Sequence, residues 1–460
     1  MTATAAIPAP RSAGRALGVA AGAAFLALLD TTVANLAVTD VQTSFAGTSV
    51  SAATWMITIY AVVFAACLAP AGRVADVVGR RAWLRIGVGT FTALSLACAL
   101  APSLGALLGA RALQGAAAAA MIPASLAVVL ADTPPERRAA AIGAWSAAGA
   151  LAAAAGPAIG GVLVDTVGWR SLFLINVPLG LAIVAGTRGL PRGGAGGRLP
   201  DVVGTVLLGV GIGAAALGIA QAPEWSAAAT VACLSGAALA VAFAVWRSFH
   251  HATPALETRL WRSRQFAAAN LASLLYGAAL FPWMLVGVLF LVGIWGYTPL
   301  EAGLAMTPGA VMAAYVALRA GPLVARHGPA AVIAGGALVL GAAGVWCTLG
   351  LPEQPSFLSF WLPAGVVLGT GMGAITTGVS SAAALAVAPE RFAAAVGLNQ
   401  TARLLGGALG VATLAAMLDG ATGIAPFTHV YLFCTLATFA VAGAALWLLK
   451  ERPDLGVAHQ

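Results

Sequence analysis

Two charged side chains stand where the surrounding residues are those of hydrocarbon. Asp30 sits in the apolar run LALLDTTVANLAV, and Arg111 in LLGARALQGAAAAAM. An ionised group at that depth is costly unless it is paired or protonated. Each lies about eight positions from the end of its run, roughly 12 Å at 1.5 Å per residue, so the two match in depth. The pairing suggests reversible proton binding at Asp30: a helix shift that parts the pair lets a proton replace the guanidinium. The alternatives are a purely structural pair with a polar neighbour, or a carboxylate that meets a cationic ligand in competition with the proton. Arg403 is a second cation inside an apolar run, with Asn399 one turn before it. It either rests on helix carbonyls and amides or faces a cavity. Glu301 opens another apolar run, where an acid suits a helix N-terminus.

Further candidates lie at the ends and bends of such runs. Gly72, Asp76, Gly79, Arg80 and Arg81 fall in GRVADVVGRR, where the glycines permit a tight turn and the charges can latch a gate on the cytoplasmic side. Gly156, Pro157, Gly160 and Gly161 follow an Ala-rich segment, where a missing N–H and missing side chains allow a helix to bend and to seal against a neighbour. Trp145, Tyr60 and Tyr276, with Asn399 and Arg403, are candidates for an apolar cavity, since flat rings suit bulky hydrophobic or cationic molecules. Singly, such aromatics also serve as lipid-facing anchors.

These residues need a scaffold of membrane-spanning helices. Of the 460 residues 60% are hydrophobic and only 8% charged, against about a quarter charged in soluble domains. Apolar runs at 15–38, 52–71, 82–101, 104–130, 139–164, 171–190, 202–221, 227–246, 266–293, 301–320, 330–350, 357–386, 392–418 and 427–449 make about 14 spans. Arginines recur in every second connection, as at Arg73, Arg137, Arg192, Arg198, Arg247 and Arg326, and Lys450 and Arg452 follow the last span. The alternate connections hold only Arg170. Cytoplasmic connections carry the positive charge, so both termini are placed inside an inner (plasma) membrane. The net charge of +8 is therefore dispersed and does not indicate nucleic acid. His250 and His251 fall in a polar connection and read as solvated. The five cysteines lie inside apolar runs without CxxC or metal-type spacing and read as buried small hydrophobes, with no metal or cofactor expected. No P-loop pattern is present.

The chain repeats itself. Pro135-Glu-Arg-Arg-Ala-Ala-Ala-Ile-Gly143 returns as Pro389-Glu-Arg-Phe-Ala-Ala-Ala-Val-Gly397, and Gly72–Gly79 is echoed by Gly321–Gly328 with Ala325 in place of Asp76. The matching spans are eight apart, which predicts an all-α membrane protein of two parallel six-helix halves plus two inserted helices. The divisions fall at 1–190, 191–264 and 265–460.

Five motifs in order then carry a family resemblance. Leu29-Asp30-Thr31-Thr32-Val33-Ala34-Asn35-Leu36-Ala37, Gly72 to Arg81, Leu107-x-x-x-Arg111-x-x-Gln114-Gly115, Gly156-Pro157-x-x-Gly160-Gly161 and Trp169-Arg170 to Asn176-x-Pro178 are similar to those of the major facilitator superfamily, in particular its fourteen-helix drug:proton antiporter branch. The leading glycine of the fourth motif is Ala152 here. The resemblance covers nearly the whole chain and implies alternating access, export of small amphipathic or cationic molecules, protons as the coupling ion, and proton-coupling roles for Asp30 and Arg111. A monomer in the lipid bilayer is expected. A nutrient importer, a membrane-embedded enzyme and a non-transporting scaffold stay open as rivals; the enzyme would need clustered catalytic groups at membrane depth.

Overall fold

The computed structural model describes residues 11–45, 47–190, 199–222, 224–419 and 423–449. Arg192, Arg198, Lys450, Arg452 and positions 191–198 of the expected linker lie outside the described residues. Fourteen principal helices follow one another: α1 (Arg11–Ala34), α2 (Val50–Val78), α3 (Arg80–Ala99), α4 (Leu104–Asp132), α5 (Arg138–Val167), α6 (Asn176–Thr187), α7 (Val202–Ala220), α8 (Ala227–His250), α9 (Arg264–Gly293), α10 (Pro299–His327), α11 (Pro329–Gly350), α12 (Leu362–Leu385), α13 (Phe392–Leu418) and α14 (Ala425–Leu449). The described residues contain no strand.

Thirteen of these elements are long and apolar enough to cross a membrane, so the chain is a many-span membrane protein. The exception is α6. With the turn Ser171–Leu174 before it, its apolar stretch ends at Thr187, short of the expected 190. Caps set several starts: Ser49, Ser103, Ser226 and Ser263 each accept a backbone N–H three residues on. Thr298 and Glu301 form a reciprocal capping box, so Glu301 is a helix-start charge.

Two helices overrun their expected ends, 71 and 320, by seven residues. The second and tenth helices continue to Val78 and His327, so Gly72 and Gly321 are helical, and a turn at Gly72 is ruled out. The turns fall seven residues later, at Gly79 (φ +108°) and Gly328 (φ +81°), where a side chain would be strained.

The halves α1–α6 and α9–α14 meet chiefly along two crossings, α2 on α13 and α5 on α10, while α7 and α8 pair with each other and α7 leans on α2 and, less, on α13. The repeated motifs build both crossings. A Cβ on Gly143 would stand 2.5 Å from the Ala317 carbonyl oxygen, and one on Gly397 2.6 Å from that of Leu68. Gly321 meets the Ala139 carbonyl at 2.6 Å, and Gly72 meets that of Ala393. Each pair is the image of the other under the repeat. Small residues allow this close approach, and dispersion between the packed backbones holds it where no hydrophobic effect operates.

Candidate functional site

At the centre of the first half, Asp30 and Arg111 are in contact. Arg111 Nη1 donates to Asp30 Oδ2 at 2.6 Å, with the two side chains 0% and 1% exposed. The carboxylate accepts two further hydrogen bonds, from Asn176 Nδ2 at 2.7 Å and Gln114 Nε2 at 3.3 Å. Arg111 also donates to Gln114 Oε1 at 2.7 Å and, through Nε, to the Met56 carbonyl at 3.1 Å. Its guanidinium lies 4.2 Å from the centre of the Tyr60 ring and 5.5 Å from that of Phe173. Ser95 accepts from Gln114 at 2.7 Å. Five elements of one half thus meet at a single acid. Three donors converge on this one side chain, so both of its oxygens are engaged.

The helix that carries Asp30 is seated by the Gly-Pro segment. A Cβ on Gly156 would stand 2.5 Å from Thr32 Cγ2, and one on Gly160 2.6 Å from Leu36 Cδ1, so both glycines receive α1 inside the first half. Only the other two residues of that set face across: Pro157 lies against Gly303 of α10, and a Cβ on Gly161 would meet Leu300 at 3.7 Å. Of the four residues expected at a seal, Pro157 and Gly161 thus touch the other half, whereas Gly156 and Gly160 pack within the first half.

At the arginine-bearing end of the bundle, Asp76 crosses between halves. Its carboxylate accepts the backbone N–H of Ala394 at 2.8 Å and of Ala393 at 3.3 Å, capping α13 from the opposite half. Arg80 pairs with the same carboxylate at 2.7 Å, donates to the Pro389 carbonyl, and lies 5.6 Å from the centre of the Phe392 ring. Arg81 takes another course: it donates to the carbonyls of Arg188, at 2.7 Å, and Leu190 within its own half. The second crossing has Ala325 at the place of Asp76, so only one of the two carries this cap. Glu257, on the connection between α8 and α9, lies 3.1 Å from Arg73 of the first half and 3.8 Å from Arg391 of the second. A recess of about 930 Å³ opens here, lined by Arg73, Asp76, Arg80, Glu257 and Arg391 among others.

None of the five proposed cavity residues lines that recess. Trp145 is buried and donates to Ser125 at 3.0 Å, Tyr60 stacks on Arg111, and the Tyr276 hydroxyl bonds the Met372 carbonyl at 3.1 Å. Asn399 donates to the Ala269 carbonyl at 3.4 Å, and half-buried Arg403 donates to Gln400. Of the cysteines, Cys98, Cys347 and Cys434 are buried, but Cys67 and Cys233 are only half-buried, because they face partly out of the bundle.

Residues 20–196 match the family model described as Major Facilitator Superfamily. The multidrug resistance protein Stp of Mycobacterium tuberculosis (strain CDC 1551 / Oshkosh) is 33% identical over 388 residues, 83% of this chain and 71% of that one. The cephamycin export protein CmcT of Amycolatopsis lactamdurans is 33% identical over 409 residues, 86% of this chain and 83% of that one. The chain belongs to the major facilitator superfamily. A further member, the puromycin resistance protein pur8 of Streptomyces alboniger, is 35% identical over 85% of this chain and 79% of its own. Among solved structures, the human organic anion transporter MFSD10 (TETRAN) superposes with a TM-score of 0.69 at 15% identity, covering 94% of this chain and all 100% of its own. That likeness establishes the superfamily fold alone.

Within this superfamily member, Gln114 and Asn176 were visible in the sequence only as motif residues with no role attached. Ser95 and Glu257 carried no mark at all: one is an ordinary serine in an apolar run, the other an acid in a polar connection. Their partners are distant in sequence, so only the fold brings them to the site.

Proposed function

We propose that the protein is a proton-coupled secondary antiporter that exports amphipathic small molecules, drugs or antibiotics among them, by alternating access. The observation that carries this reading is the sealed Asp30–Arg111 pair, a titratable acid inside the membrane with an internal cation that can hold its place. The relatives named for multidrug resistance, cephamycin export and puromycin resistance support efflux as the direction. In this scheme a proton on Asp30 releases Arg111 and loosens the packing of α1 on α5. The first half then rocks against the second about the two glycine crossings, and the Asp76 cap on α13 closes the cytoplasmic mouth.

The units are residues 1–190 and 265–460, with 191–264 supplying the two inserted helices. The protein works as a monomer in the plasma membrane with both termini in the cytoplasm, and it transports rather than catalyses. Inward-driven protons supply about 2.3 kcal/mol per charge per 100 mV from the electrical part of the gradient. The test is substrate-induced proton movement in proteoliposomes over a panel of amphipathic dyes and antibiotics, wild type against Asp30→Asn. Proton release that follows substrate in wild type and vanishes in the variant is expected; full proton dependence in Asp30→Asn removes Asp30 from the coupling role.

A further inference from the structure

Among the described residues Arg403 has no counter-charge within its reach. It lies eleven residues into the 27-residue α13, roughly 16 Å from that helix's start at 1.5 Å per residue, near the middle of a hydrocarbon layer about 30 Å thick. Its only side-chain partner among the described residues is the neutral Gln400. The acids of residues 264–449 are Glu301, Glu353, Glu390 and Asp419, and each sits at a helix start or between helices rather than at that depth. Asp30, the one acid at membrane depth in the other half, is fully engaged by Arg111, Gln114 and Asn176. A guanidinium left in such a place is expensive unless an anion reaches it.

The side chain is partly exposed. Arg403 is half-buried although it stands inside the bundle, whereas Arg111 is sealed at 1% exposure. Val396, Gln400 and Arg403 follow one another on one face of α13 at four- and three-residue steps. Val396 belongs to the buried cluster that also holds Ile122 and Trp145 of the first half. That face therefore points at the seam between halves, the space that alternating access opens. Tyr276 beside it is buried with its hydroxyl committed to Met372 and Thr376, so it offers no competing donor.

We infer that Arg403, with Gln400, is the binding site for the acidic group of the transported molecule, so that the substrates are amphipathic organic anions: a carboxylate or phenolate on an aromatic body. The guanidinium fork takes a carboxylate through two N–H donors, and Gln400 holds the fork in position. This rests on the antiport reading above and sharpens it. Exchange of one anion outward for one proton inward moves two charges in the same electrical direction, so the membrane potential drives both legs.

The test uses two dyes with one xanthene frame and opposite charge, fluorescein and rhodamine 6G. Their binding to the full-length protein in nanodiscs is followed by fluorescence anisotropy at neutral pH. Arg403→Gln should weaken fluorescein by about tenfold or more, the scale of one charge-assisted hydrogen bond, and move rhodamine 6G by less than about twofold. Arg403→Lys, which keeps the charge without the fork, should recover only part of the fluorescein affinity. Without dye, Arg403→Gln should unfold at a temperature no lower than wild type, because it removes an uncompensated charge. Unchanged fluorescein affinity in Arg403→Gln overturns the inference, as does equal weakening of both dyes, a wild type that binds rhodamine 6G alone, or a marked loss of thermal stability, which marks a structural arginine. Proton movement is recorded on the same proteins in proteoliposomes. If it is absent in wild type while fluorescein binding still depends on Arg403, the antiport reading fails and the anion site stands.

Discussion

Asp30→Asn changes a single oxygen, and its consequence can be worked from the donors around it. The carboxylate takes Arg111 at 2.6 Å, Asn176 at 2.7 Å and Gln114 at 3.3 Å. An amide offers one acceptor oxygen and turns an N–H₂ toward the remaining donors, so at least one donor is orphaned at about 1–3 kcal/mol. The larger loss is the counter-charge. Removing one member of a buried pair costs about 3–5 kcal/mol, because the other stays buried and unpaired. Arg111→Gln is the mirror case. The double variant removes both charges together and leaves an Asn and a Gln that can bond each other, so it should return to within about 2 kcal/mol of wild type. The coupling energy of the cycle is then about 4 kcal/mol or more, with each single variant worse than the pair. Equilibrium unfolding of the four purified proteins in mixed micelles gives these values, and proton exchange in vesicles should be lost in all three variants. If the double variant is destabilised by the sum of the singles, the two charges do not support each other and the reasoning fails.

Three further outcomes follow from the geometry. Asp76→Ala removes the cap from two N–H groups of α13, worth about 1 kcal/mol. It should therefore raise maleimide labelling of a Val396→Cys reporter about fivefold and impair transport while leaving the fold intact; unchanged labelling removes the latch. Gly156→Leu sets carbon 2.5 Å from Thr32 Cγ2, well inside the roughly 3.5–4.0 Å of a normal contact. It should push α1 away and block or uncouple transport, and dye efflux at the wild-type rate would show that α1 is not seated there. Asp201, just before α7, has its carboxyl held below the usual range by the hydrogen bond from Arg247, with the Gly204 N–H and His251 assisting. A depressed folded value gives stability that is present above the unfolded value and is lost as pH falls through the folded one. The melting-temperature gap between wild type and Asp201→Asn should stay level from neutral pH down to about pH 5 and close below about pH 4; a gap that persists in acid means the ion pair is not its source.

Hydropathy and charge alternation made the helix count legible, because a lipid solvent imposes its thickness on every span and Arg marks every second connection. The repeat made the two halves legible as well. It even contained the crossings, since Gly72, Gly143, Gly321 and Gly397 are the repeated small residues that meet. Their purpose was not legible: in sequence Gly72 looks like a turn, and only the packed helices show that the missing side chain makes room for the Ala393 carbonyl.

What the linear chain determined by itself was the inventory: apolar segments of fixed length, an acid and an arginine at equal depth, and a duplicated motif. Depth follows from position along a helix, so matching depth could be read directly. Azimuth could not, because the face a helix presents depends on which neighbours it packs against, and an Ala-Gly helix has too little amphipathic pattern to reveal it. The tertiary structure alone decided that Asn176, Gln114 and Ser95 close around Asp30, that Gly156 and Gly160 turn toward α1 rather than across the seam, and that Glu257 reaches both halves. Each of those contacts joins residues far apart in the chain, where only the closing of the bundle sets the distance.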